Sequence, residues 1–233
     1  MRGRILLGWL TREIAVAYLQ NKCLFTPPLT TAQAEALWTE KKEMVEALGP
    51  RAVPPPAPLP MTPAEREAAE RFLSFMRRVP ASAAQVQTVV KLDPHRLVCR
   101  QSDISLDRAN QHAENVHAAT WSARSCLGPP QDLAGRSFAG FDPIGISVIE
   151  GRAVLWSGYH RCYARMAASH PDMTDHSILA AVTPAGNEAV TANPSLRAIL
   201  LGECPPLLGD FLDERLFLEV ELRHDRYNST VPE

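Results

Sequence analysis

No charge of one sign dominates this chain, in which 24 Lys+Arg stand against 26 Asp+Glu for a formal net charge of -2. Proteins that track nucleic acid or acidic membrane over much of their surface carry a large positive excess, so any cationic surface here must be local. Long apolar runs are also missing. No stretch approaches the ~20 residues needed to span a bilayer. The run Ile5–Leu10, behind Arg2 and Arg4, is short and meets Thr11-Arg12-Glu13 instead of a small-residue cleavage site, which argues against a signal peptide. It reads as a helix start or a disordered lead. The cysteines Cys23, Cys99, Cys126, Cys162 and Cys204 are scattered, with no CxxC among them. That spacing excludes the common zinc and disulfide frameworks and points to free thiols in a reducing cytoplasm. Internal repeats and helix-turn-helix spacing are absent as well.

What is present supports a folded core, since 45% of the 233 residues are hydrophobic. Residues 4 to 49 read as helical in two pieces separated by Pro27-Pro28. In the second piece Thr30 is the N-cap and Gln33 completes a capping box; Ala34, Leu37, Met44, Val45 and Leu48 follow, and Gly49-Pro50 ends it. The segment Val53–Pro60 holds too many prolines for a helix or an interior strand and reads as a semi-rigid linker. Thr62, Pro63 and Glu65 then combine an N-cap, a first-turn proline and a capping-box carboxylate. They predict a helix from Pro63 to about Arg78 with Phe72, Phe75 and Met76 on its apolar face.

Strand patterns come next. Val86, Thr88 and Val90 alternate with Gln85, Gln87 and Val89 up to Asp93-Pro94, and Leu97–Cys99 is a second short candidate. Leu106–Ala123 has helix formers but no clean stripe, and Ser125–Gly140 reads as a long surface loop. Pro143–Glu150 resumes an apolar strand, Gly151 turns a hairpin into Ala153–Trp156, and Ser177–Val182 is a further strand. In the tail Leu216, Leu218, Val220 and Leu222 share one face of a period-two run. The whole is an α+β pattern.

The most informative stretch is Gly151–Ala168, where a strand meets Ser157-Gly158 and opens a helix beginning Tyr159-His160-Arg161. Helix-start amides lack partners within the helix and lie at the positive end of its dipole, so such a corner suits a phosphate. Arg161 offers a planar, permanently charged fork, and His160 a donor or an acid-base group near neutral pH. The plain alternative is a surface helix start that happens to be basic.

Together, Pro143-Ile144, Val148, Gly151-Arg152, Leu155, Ser157-Gly158-Tyr159-His160-Arg161, Ala164 and the strand Ile178–Val182 resemble the ParB/sulfiredoxin superfamily, over roughly residues 85–183. The resemblance implies a mixed sheet with flanking helices. It also implies phosphate or nucleotide binding at Ser157, Gly158, Tyr159, His160 and Arg161, with phosphoryl transfer or nucleotide hydrolysis as the associated chemistry. If the ligand is a nucleoside triphosphate, Mg2+ is its expected companion. Tyr159 stands where sulfiredoxins carry their reactive cysteine, so their sulfur chemistry does not transfer. On this reading residues 1–60 form a helical N-terminal extension and linker, and 61–233 the α+β domain with core 85–183 and a strand-rich tail. Two alternatives stay open: an interaction module docking a protein partner through the N-terminal helices, and a DNA-binding or processing protein.

Other candidates have plainer readings. Arg100 and Gln101, with Asp103, follow a strand end and suit either a polar loop or accessory ligand contacts. Arg165 lies four positions after Arg161 as a further accessory, and it and Arg152 otherwise read as solvated. His112, Glu114 and His117 lack the four-residue spacing of a helical zinc pair. Asp210 in Pro205–Phe211 reads as a turn or cap residue, with a metal-bound phosphate the minor reading. Trp121, Trp156 and Tyr163 read as core aromatics that could instead stack on a base.

Overall fold

The computed structural model describes residues 1–77, 86–113, 126–127, 143–168, 175–184, 190 and 192–223. Glu114, His117, Trp121, the distal part of the predicted 106–123 helix and most of the 125–140 loop lie outside them. The architecture is mixed α+β around two sheets. Its strands are β1 (Arg2–Ile5), β2 (Cys23–Leu24), β3 (Thr88–Leu92), β4 (Val98–Cys99), β5 (Asp103–Ser105), β6 (Gly145–Ile149), β7 (Arg152–Ser157), β8 (Ile178–Val182) and β9 (Leu218–Leu222). Its helices are α1 (Arg12–Lys22), α2 (Thr31–Leu48), α3 (Pro63–Met76), α4 (Leu106–Ala113), α5 (Tyr159–Ala167) and α6 (Pro194–Leu201).

The five-stranded sheet runs β3-β8-β6-β7-β4. It is mixed: β3/β8 and β6/β7 are antiparallel, whereas β8/β6 and β7/β4 are parallel. The β6-β7 hairpin closes through Glu150 (φ 48°) and Gly151 (φ 80°), the pair of positive angles whose twist matches two right-twisted strands. Ile146 and Leu155 from this hairpin join Tyr159, Cys162 and Ala164 of α5 and Phe72 and Met76 of α3 in the largest apolar core. In β3 the inward residues are Val89, Lys91 and Leu92. The expected partition, with Val86, Thr88 and Val90 on one face, did not foresee a lysine turned to the inside.

Lys91 can sit there because partners await it. Its ammonium lies 3.1 Å from Glu65 and 3.1 Å from Asp175, and Glu65 is also the capping-box residue that accepts from the Thr62 amide at 2.7 Å. Burial works against the Asp175 carboxylate, but hydrogen bonds from Ser177 and Lys91 outweigh it and hold its pKa down at about 2.

The four-stranded sheet, β2-β9-β1-β5, is antiparallel throughout. Here the sequence reading needs correcting. The run read as a helix start or disordered lead contains the end of β1 and a 3₁₀ turn, Leu7–Trp9. β1 lies between β9 (Arg2 opposite Glu221) and β5 (Gly3 opposite Ser105). The expected boundary at residue 60 therefore runs through a sheet that joins the two sides. Ile5, Leu7, Leu19, Ala34, Val220 and Leu222 fill the core beneath α1 and α2. Gly8 permits this packing, because a Cβ there would come within 2.4 Å of the Lys41 carbonyl of α2.

The proline-rich segment also packs instead of merely linking. Val53 joins the apolar cluster of Val98, Ile149, Val154 and Leu200, and the Leu59 amide donates to the Lys91 carbonyl at 2.8 Å. Among the described residues no helix is long and apolar enough to cross a membrane.

Candidate anion-binding site

β7 runs directly into α5, and Gly158 makes the corner. It adopts φ 88° and caps the helix in the left-handed region; a Cβ there would meet Ile144 Cγ1 at 2.7 Å. Both facts require glycine, and the second shows that its close approach is to the Ile144 side chain. The Ser157 hydroxyl donates to the Pro143 carbonyl, which ties the corner to the start of β6. Cys162 N–H donates to the Gly158 carbonyl at 2.9 Å and closes the first helical turn.

Tyr159 points into the core. Its hydroxyl donates to the Leu155 carbonyl and receives the backbone amides of Gln101 and Arg100, while burial holds the phenol well above its ordinary pKa. Tyr159 thus fastens the β4-β5 link to α5. Gln101 Nε2 donates to the Asp103 carbonyl at 2.7 Å, and the Arg100 guanidinium stacks over Trp156 at 4.9 Å. This pair is joined to the corner through Tyr159 and is engaged in holding its own loop.

His160 faces α4. Its Nε2 accepts the Ser105 amide at 3.2 Å, and the Ser105 hydroxyl accepts the Arg108 amide at 3.2 Å, capping α4. The acceptor role requires a neutral ring. Burial, followed by the charges of Arg108, His112 and Arg161, depresses the His160 pKa to about 4. His112 is likewise lowered, by burial first and by Arg161 second. Side chains 48 to 53 positions apart are therefore brought together, Arg108 and His112 from α4 with His160 and Arg161 from α5. The starts of the two helices meet where His160 touches Ser105.

Arg165 belongs elsewhere: its guanidinium donates to the Asp175 carbonyl at 2.6 Å. Arg152 donates to the Leu200 and Gly202 carbonyls at 3.0 and 2.8 Å and so caps the end of α6. Neither is merely solvated, as their sequence positions suggested. Sequence reasoning missed Arg108, and its signal was weak: a serine cap followed by a basic third helical position. Tyr163 is a core residue whose ring lies 5.8 Å from the Arg4 guanidinium.

The site does not offer a built metal centre. Asp210, the carboxylate weighed for a metal-bound phosphate, is gripped by Arg51 at 2.7 and 2.9 Å and by the Leu207 amide at 2.8 Å. Among the described residues no group of three or more His, Cys, Asp or Glu side chains is placed to hold an ion. The thiols are protonated: burial pushes Cys126 to about 12 and raises Cys99 and Cys162 as well. Comparison with family models, curated proteins and solved structures returns no match.

Proposed function

We propose that this chain binds a phosphorylated small molecule, with nucleotides as the leading class, where α4 meets the start of α5. Arg161 and Arg108 supply the charge, and the amides at the start of α5 supply uncharged donors. One observation carries the reading: Arg108 and Arg161, on different helices, both act on His160, which is held neutral while touching the cap of α4. Burial is the larger cause of the lowered His160 pKa and the Arg108 and Arg161 charges add to it; that same positive charge favours an anion. Arginine forks suit phosphate oxygens, and two helix starts add their dipoles. The mixed sheet whose hairpin feeds the Gly158 corner supports the ParB/sulfiredoxin-like resemblance, and the local character of the charge favours a small ligand over DNA.

Binding, and not phosphoryl transfer, is the activity proposed. The Nε2 of His160 already receives a backbone amide, and transfer chemistry needs a base and, in its common forms, a carboxylate-held metal. Mg2+ would arrive with the nucleotide. Calorimetric titration with nucleoside triphosphates and Mg2+ tests the reading. Binding to the wild-type chain should weaken at least tenfold in both Arg161→Ala and Arg108→Ala, with circular dichroism unchanged. Absence of heat with every nucleotide, or equal affinity in the variants, rejects it.

A further inference from the structure

Toward the C-terminal end of α5, away from the Gly158 corner, a second pair of histidines comes together. His95 sits in the 3₁₀ turn Pro94–Arg96, and His176 lies two positions before β8. Their ring centres are 5.9 Å apart and their planes are crossed at 88°. Each ring has one nitrogen committed. His95 Nδ1 lies 2.7 Å from an Asp93 carboxylate oxygen, and His176 Nδ1 lies 3.0 Å from the Arg165 carbonyl. Both partners are acceptors, so in the neutral rings both Nδ1 atoms carry the hydrogen. Both Nε2 atoms then hold lone pairs.

That is the tautomer a metal-binding imidazole needs, with the outer-shell carboxylate or carbonyl that normally fixes it. The geometric limit is also met. A bond of about 2.1 Å from metal to Nε2 puts a ring centre about 3.2 Å from the ion, so two rings sharing one ion lie at most ~6.5 Å apart. Both residues are held in place. The Asp93 oxygen also accepts the His95 amide at 3.0 Å, and the backbone of Gly209 closes against His95 so tightly that a Cβ there would lie 3.0 Å from its carbonyl. His176 is flanked by Asp175, tied to Lys91, and by the buried Ser177. The Asp93 carboxylate lies against His95, and Asp175 is next to His176 in the chain.

The geometry points to His95 and His176 as a two-imidazole site for a divalent transition-metal cation, its remaining positions open to solvent or to an anion. Two imidazoles suit Zn2+, Ni2+ or Cu2+ and discriminate against Mg2+ and Ca2+, which prefer oxygen. The site is separate from the α4-α5 cluster and stands without it.

The experiment is titration of the full, chelator-treated chain with Zn2+ by calorimetry, beside His95→Gln, His176→Gln and Asp93→Asn. One site should appear in the wild-type chain. It should weaken at least tenfold in each histidine variant and about tenfold in Asp93→Asn, which disturbs the outer shell. A readout that needs no variant is paramagnetic broadening by Ni2+, which should strike the His95 and His176 ring signals first. Absence of a stoichiometric site, unchanged affinity in either histidine variant, or broadening that begins at other histidines overturns the assignment.

Discussion

His160 illustrates how one side chain joins a site to the stability of its surroundings. Its ring accepts the Ser105 amide and lies among Arg108, His112 and Arg161, so protonation both removes the acceptor and adds charge to a positive cluster. The folded pKa of about 4 lies below the ordinary histidine value, and the unfolded chain therefore binds more protons between the two. Stability from this group is complete above about pH 6.5 and is lost as pH falls toward 4, by about 2 kcal/mol between pH 7 and pH 5. His112, lowered in the same direction, adds to the slope. Urea unfolding at the two pH values should show this loss in the wild-type chain and a smaller one in His160→Gln. An equal loss in both would mean that His160 does not exclude the proton. The sequence carried the order Gly158-Tyr159-His160-Arg161, because motif and context are local. It did not carry Arg108, whose relation to His160 exists only after two helices pack.

At the scale of elements, α3 is held at its first turn by two devices that share one residue. Glu65 caps the helix by accepting from Thr62 N and also pairs with the buried Lys91 of β3. Thr62→Ala removes only a cap and should cost about 1 kcal/mol. Glu65→Ala removes the cap's partner and strips a buried ammonium of one of two carboxylates, and should cost about 3 kcal/mol or more. Denaturant midpoints of the two variants check the ranking, and equal costs would refute the second role. The capping boxes of α2 and α3 were legible because both partners lie within four residues. The β6-β7 hairpin and β8 were legible through alternation and the Gly151 turn. Lys91 was not, since polar residues are read as outward until their partners are known.

For the molecule as a whole, the arrangement of β1 decides what can be removed. Residues 1–60 contribute the strand between β5 and β9, the helices over that sheet, and Arg51, whose guanidinium holds Asp210. Deleting them should abolish the single cooperative transition in calorimetry instead of leaving an intact 61–233 domain. A remainder that melts sharply would contradict that. The sequence suggested an appendage because Ile5–Leu10 is short and the partners of β1 lie about a hundred and two hundred positions further on. Local pattern carries no information about a pairing that distant.

Arg2 pairs with Glu221, 219 positions later. On the ribosome β1 is made long before β9, the strand that flanks it, so this sheet must wait until β9 has been synthesised. Ile5 and Leu7 stay without Val220 and Leu222, members of their apolar cluster, throughout that interval. Chaperones that shield short apolar segments have their natural opportunity there, and a premature stop ahead of residue 218 leaves β1 paired on one edge only.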